Sequence, residues 1–161
     1  MKHVYYYDSP VGKLKLVSDE LALQELTFLG EYKEENSPAT QENSPLIKKV
    51  VCELNEYFAG NRQQFTIPLD PQGTPFQKKD WKALCDIPYG QTRSYKDIAQ
   101  AIGCPKGARA VGLANNKNPI SIIIPCHRVI GADGKLVGYG GGIDKKVFLL
   151  DLENATYKKP L

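Results

Sequence analysis

The sequence predicts an α+β protein in two parts: a small antiparallel three-stranded sheet with one helix over residues 1–72, then a mostly helical part over residues 73–161. Three observations carry this reading. Strand-forming segments with period-2 alternation are confined to the chain before Gly30. Beyond Ser44 the apolar residues recur at helical spacing behind capping residues. Between the two parts lies FTIPLDPQGTP at 65–75, whose three prolines and one glycine read as a linker.

In the first part, Val4-Tyr5-Tyr6-Tyr7 is β-rich and Asp8-Ser9-Pro10-Val11-Gly12 is a turn cluster. Lys13 to Ser18 alternates polar and apolar, as a half-buried strand does. Leu21 to Leu29 is a third, less regular strand. Gly30 to Ser44 is polar and reads as an exposed loop. Ser44-Pro45 then opens a helix, with serine as N-cap and proline at the first helical position. Leu46, Ile47, Val50, Val51, Leu54, Tyr57 and Phe58 form its apolar face, and Gly60 stops it.

The second part opens on Thr74-Pro75-Phe76-Gln77, which fits a capping box, and the helix behind it carries Trp81, Leu84 and Cys85. Pro88 and Gly90 force a turn within Ile87 to Thr92. Ser94-Tyr95-Lys96-Asp97 begins a second helix, with Tyr95, Ile98, Ala99 and Ile102 on one face and Gly103 at its end. Pro105 sits near the start of a third helix running to Asn116. Two short helices joined by a glycine-containing turn match a helix-turn-helix, a pair that many folds contain. The third helix has little bulk, with Gly107, Ala108, Ala110, Gly112 and Ala114. Each helical glycine costs about 1 kcal/mol relative to alanine, so something must offset it. Close packing on another helix would do so. A backbone that approaches nucleic acid closely, with Arg109 projecting from the first turns, is the favoured reading. Ile120 to Ile124 is predicted as a buried strand that Pro125 breaks, leaving Cys126 at its end.

Charge is divided unequally. Residues 1–72 carry a net −4 and residues 73–161 a net +7, so the second half suits a polyanionic partner. No apolar run approaches the roughly 18 to 20 residues a membrane span needs. The opening MKHVYYYDSP lacks the apolar core of a secretory signal. An intracellular protein without a membrane partner is expected, cytoplasmic, or nuclear if eukaryotic. The cysteines Cys52, Cys85, Cys104 and Cys126 form no CxxC pair and the chain has two histidines. Neither a structural zinc site nor a disulfide framework is expected. Cys52 and Cys85 lie in helical apolar patterns and read as buried small hydrophobes.

Cys126 stands apart. A free thiol with a pKa near 8.5 is only a few per cent thiolate at neutral pH, and a neighbouring base or cation raises that fraction. His127 is adjacent in sequence. Successive strand side chains face opposite ways, so it reaches Cys126 only through a bend or a bridging water.

The run NPISIIIPCHRVI, Asn118 to Ile130, resembles the active-site signature of the O6-alkylguanine-DNA alkyltransferases, also called methylated-DNA–protein-cysteine methyltransferases. Tyr95 to Asn116, with Arg109-Ala110-Val111-Gly112, resembles that family's helix-turn-helix. Gly138-Tyr139-Gly140-Gly141-Gly142 resembles its substrate loop, and Asp144 to Glu153 its last helix. The resemblance is strong over 74–154 and mostly architectural over 1–72. It implies an RNase H-like first part and a winged-helix-like helix-turn-helix in the second.

The resemblance further implies direct-reversal DNA repair. A methyl or larger alkyl group passes irreversibly, once per molecule, from O6-alkylguanine, and from O4-alkylthymine, to Cys126 after the base is flipped out of the duplex. Cys126 matches the acceptor, His127 the residue that deprotonates it through a water, and Glu153 the carboxylate that orients the histidine. Asn118 matches a brace of the active-site turn. Tyr95 matches a donor to the departing base. Arg109 matches an intercalating arginine on a helix laid in the minor groove, which is only about 6 Å wide and suits the slim Ala108 and Ala110. Lys96, Lys106 and Arg128 are implied as further DNA contacts, and Tyr139, Gly140 and Val129 as pocket residues. No cofactor or metal is implied. The partner is double-stranded DNA carrying O6-alkylguanine, met by a monomer.

Two departures bear on the pocket: Ser121 stands where some members have a second proline, and Gly140 where some have serine. No additional N-terminal metal-binding regulatory region is present, so a transcriptional-activator role is not expected. Two rivals remain. Alkyltransferase-like proteins bind lesions without transfer, but carry tryptophan where this chain has Cys126. A cysteine hydrolase using Cys126 and His127 would need an oxyanion hole that the sequence does not signal.

Overall fold

The computed structural model describes residues 2–29, 44–139 and 142–158. Strands β1 (His3–Ser9), β2 (Gly12–Ser18) and β3 (Leu23–Phe28) form an antiparallel sheet in the order β1-β2-β3. Gly12 closes the first hairpin at φ 102°, a left-handed conformation that glycine adopts without a Cβ clash. The alternation in β2 places Leu14 and Leu16 on one fully buried face, and Leu26 of β3 lies opposite Leu16. Helix α1 (Pro45–Phe58) starts where its cap predicts, the Ser44 hydroxyl accepting from the Ile47 N–H. It buries Ile47, Val50, Leu54 and Tyr57 against β1 and β2.

The stretch at 65–75 is not a free linker. Leu23 N–H donates to the Pro68 carbonyl at 2.9 Å and Asp70 N–H to the Leu23 carbonyl at 2.8 Å, which sews it to β3. Pro119–Ser121 joins β3 in the same way: Leu26 N–H donates to the Pro119 carbonyl and Ser121 N–H to the Leu26 carbonyl, both at 2.8 Å. The chain thus forms one unit from residues 1–72 with 119–121, and another from 73–118 with 122–161.

The second unit holds α2 (Pro75–Cys85), β4 (Arg93–Ser94), α3 (Tyr95–Ala101), α4 (Ala108–Asn116), β5 (Val129–Ile130) and α5 (Ile143–Leu152). The capping boxes Thr74/Gln77 and Ser94/Asp97 both close in both directions and fix the starts of α2 and α3. Trp81, Leu84, Ile98, Val111, Leu149 and Leu150 are buried here. Gly107 is the N-cap of α4 rather than an interior residue. A Cβ there would lie 2.6 Å from the Cys104 sulfur, so the helix-turn-helix turn requires glycine. Gly112 faces the Tyr95 ring, with a Cβ position 3.7 Å from it. A methyl group there would make only ordinary van der Waals contact, so packing on α3 does not by itself require this glycine. Arg109, Ala110 and Leu113 remain exposed.

Two expectations are corrected. Ile120 to Ile124 is buried but is not a strand. Only Ile120 bridges to β3, and Ile122 turns into the left-handed region at φ 72°. Prolines at both ends and the Asn118 side chain bend the segment, so its β-rich composition reflects burial rather than extension. Cys52 and Cys85 are exposed, because their helical positions fall outside the buried arcs of α1 and α2. Most of the predicted 30–44 loop, and Gly140 with Gly141, lie outside the described residues. No helix among the described residues is long and apolar enough to cross a membrane.

Candidate active site

The chain after α4 turns tightly and enters a 3-10 turn at Cys126–Arg128. The Asn118 amide holds this turn. Its Nδ2 donates to the Ile124 carbonyl at 2.9 Å and to the Cys126 sulfur at 3.3 Å. Cys126 is buried, and burial pushes its thiol pKa up. Hydrogen bonds from Asn118 and Tyr139 and the ammonium of Lys146 act in the opposite direction. The resting sulfur is therefore a thiol whose surroundings are prepared for the thiolate.

His127 is wholly buried, and its Nε2 lies 2.7 Å from Glu153 Oε2. Glu153 caps the C-terminus of α5. His127, and the guanidinium of Arg128, hold the Glu153 carboxyl well below the usual carboxylate range despite its burial. Burial keeps His127 neutral by lowering its pKa. A neutral imidazole beside a carboxylate carries its proton on the facing nitrogen. The Nε2–H therefore donates to Glu153, and the Nδ1 lone pair is left as the basic site. Nδ1 makes no hydrogen bond among the described residues.

Arg128 is corrected as a DNA contact. It is buried, with Nε donating to Glu153 Oε1 at 2.7 Å, Nη2 to Oε2 at 3.1 Å and Nη1 to the Ile87 carbonyl at 2.7 Å. Its guanidinium also lies 5.7 Å from the Tyr89 ring centre. The turn at Ile87 to Gly90 thus closes over the Arg128–Glu153 pair. Val129 is corrected as a pocket wall: its side chain is fully buried in β5, and its carbonyl accepts from Lys146 Nζ at 2.6 Å.

Lys146 is the residue sequence reasoning missed. It is 1% exposed, it also donates to the Val137 carbonyl at 3.2 Å, and burial pushes its pKa down to about 8. The signal was present, since Leu149 and Leu150 follow at i+3 and i+4 on the buried face of α5. Tyr95, at the start of α3, is half-buried, and desolvation followed by the nearby Cys126 raises its phenol pKa, so it stays a donor. Lys96, Lys106, Arg109 and Ala110 are exposed, and Ala108 is half-buried. Tyr139 reaches Cys126, while Gly140 lies outside the described residues.

A buried cysteine followed by a carboxylate-bound histidine, in one unit with a helix-turn-helix, fits a cysteine nucleophile carried on a DNA-binding fold. Residues 75–155 match the DNA binding domain, and residues 2–71 the ribonuclease-like domain, of 6-O-methylguanine DNA methyltransferase, and the chain belongs to that family. It is 54% identical over 152 residues to the methylated-DNA–protein-cysteine methyltransferase of Methanosarcina barkeri, covering 92% of this chain and 96% of that protein. It is 50% identical over 155 residues to the protein of the same name from Mycobacterium tuberculosis, covering 96% and 94%. The crystal structure of Mycobacterium tuberculosis OGT in complex with DNA matches at a TM-score of 0.87 and 50% identity, covering 94% of this chain and 92% of that one. The α+β fold with its ribonuclease-like first part is as the sequence predicts.

Proposed function

We propose that this protein repairs alkylated DNA by direct reversal, moving one alkyl group from guanine O6, and from thymine O4, to the Cys126 sulfur. The observation that carries this is the buried Cys126 followed by a buried histidine whose Nε2 lies 2.7 Å from Glu153 Oε2. His127 Nδ1 takes the thiol proton through a water. The sulfur attacks the alkyl carbon, a C–S bond forms, and the C–O6 bond breaks with its electron pair passing to the base. The Tyr95 phenol donates to the departing guanine, which relieves the charge that develops there. Asn118 keeps the sulfur aimed. The product is a thioether with no easy reverse path, so each molecule acts once.

Access to the lesion needs the nucleotide out of the stack, at a cost of a few kcal/mol. Arg109, exposed on the slim α4, fills the vacated position, with Ala108 and Ala110 at the minor groove and Lys96 and Lys106 near phosphates. Tyr139 walls the base pocket. The protein acts as a cytoplasmic monomer on double-stranded DNA. The related OGT structure bound to DNA supports this partner.

The test is incubation with a duplex containing O6-methylguanine, followed by intact mass and peptide mapping. One methyl group per chain is expected, on Cys126 and absent from C126S. Unmodified protein that still holds the lesion duplex would establish a binding module instead. Turnover of an ester substrate would point to a hydrolase.

A further inference from the structure

Asp80 on α2 is fully buried, an unusual place for a carboxyl. The Asn115 amide, in the last turn of α4, satisfies its surroundings in one orientation. Its nitrogen then donates to Asp80 Oδ2 at 2.6 Å and to the Val111 carbonyl at 3.2 Å. The next residue of α2 grips the same turn: Trp81 Nε1 donates to the Ala114 carbonyl at 2.9 Å. Two consecutive residues of α2 thus hold two consecutive residues of α4. The chain then runs through Lys117 to Asn118, whose N–H donates to the Asn115 carbonyl at 3.2 Å and whose side chain touches the Cys126 sulfur.

We propose that Asp80 is a positioning residue for the alkyl transfer: through Asn115 it fixes the last turn of α4, and through that turn the Asn118 amide that holds Cys126. This rests on the transfer reading above. Stability alone does not account for a carboxyl here. Burial alone pushes Asp80 up to about 7. The elements packed on α2 carry Lys96 and Asp97 on α3, Arg109 on α4, and His127 and Arg128 after Pro125, and none offsets that burial. An apolar residue would cost less. What the carboxyl adds is a directional bond that selects one placement of Asn115.

The test is the single-turnover rate of alkyl transfer from an O6-methylguanine duplex, measured as a function of duplex concentration well below each variant's melting midpoint. D80L is expected to slow the maximal rate about tenfold, as the loss of one member of a coupled network does. The half-saturating duplex concentration should not move, because Arg109 lies nearly two helical turns away. D80N keeps a partner for Asn115 and should restore most of the rate. N115A breaks the link from the α4 side and should match D80L, so one variant that fails to fold leaves the other to decide. In an N118A background D80L should add no further loss.

Three results would overturn the inference: a lowered melting temperature with an unchanged maximal rate, a change confined to half-saturation, or losses from D80L and N118A that multiply. The wild type is the internal control. If it forms no Cys126 adduct, the transfer reading fails; if it does and D80L matches it, only the inference fails.

Discussion

His127 and Glu153 meet at 2.7 Å with both side chains closed to solvent, and Arg128 grips the same carboxylate at 2.7 and 3.1 Å. One carboxylate therefore serves two cations or donors at once. It sets the histidine tautomer, and it is itself kept ionised, despite burial, by the histidine and then the arginine.

E153Q separates shape from charge. A glutamine oxygen can still accept from His127, but the charge that stabilises the imidazolium is gone. Transfer should slow by about two orders of magnitude, within the range of general-base effects. The same change leaves Arg128 buried without a counter-ion, which costs about 3–5 kcal/mol and should lower the melting temperature. Stopped-time mass spectrometry and thermal unfolding read the two effects separately. A normal rate in folded E153Q would remove Glu153 from the mechanism.

Two arginines should behave in opposite ways. R109A should impair repair of a duplex lesion far more than transfer from the free alkylated base, since Arg109 is exposed on α4. R128K should slow both substrates and lower the melting temperature, because Arg128 is an internal brace. Equal losses from R109A on both substrates would refute its intercalating role. Selective loss on duplex from R128K would return Arg128 to the DNA surface.

Asp80 makes stability depend on pH. Burial raises its pKa from 3.8 to about 7, so between those values the folded state binds the proton more tightly than the unfolded one. The stabilisation is complete below the unfolded pKa and is lost as pH rises through about 7, at up to about 1.4 kcal/mol per pH unit. D80N should abolish this slope. Urea unfolding of both proteins at about pH 5 and about pH 8 isolates the effect, with the advantage of D80N growing at the higher value. Parallel stability curves would show that Asp80 titrates normally.

Lys146 should set the reactivity of Cys126. K146M removes the cation that favours the thiolate and leaves the buried Val129 carbonyl and the part-buried Val137 carbonyl short of a donor. Labelling of Cys126 by iodoacetamide, followed by peptide mass, should shift to higher pH in K146M. Wild type should lose this advantage above about 8, where Lys146 itself deprotonates. An identical labelling profile in both proteins would exclude the lysine from thiol activation.

Local signals were legible where the physics is local. The Thr74 and Ser94 caps, the Leu14/Leu16 alternation and the stop at Gly60 depend on residues within a few positions of each other, and each lies where the pattern puts it. The cysteine–histidine–glutamate constellation came from a resemblance, since 25 or more residues separate Glu153 from its partners in the chain. Ile120 to Ile124 misled because burial and extension favour the same residue types. Arg128 misled because a basic side chain near a predicted DNA surface reads as a phosphate contact, and Lys146 was passed over as one more lysine of a basic half. Their burial depends on a carboxylate and carbonyls brought in by the tertiary fold. The Asp80–Asn115 pair was invisible for the same reason, since only the packing of α2 on α4 joins them.

Arg109 stands in the first turn of α4, and Asn118 follows its last. At about 1.5 Å per residue this is a span of roughly 13 Å. The helix is therefore a ruler, with its zero mark at the exposed arginine and its far mark at the thiol. Its length is under a constraint that its composition is not. Side chains on its surface can be exchanged, but one inserted residue would swing the far mark by about 100° and carry the Asn118 amide away from the sulfur.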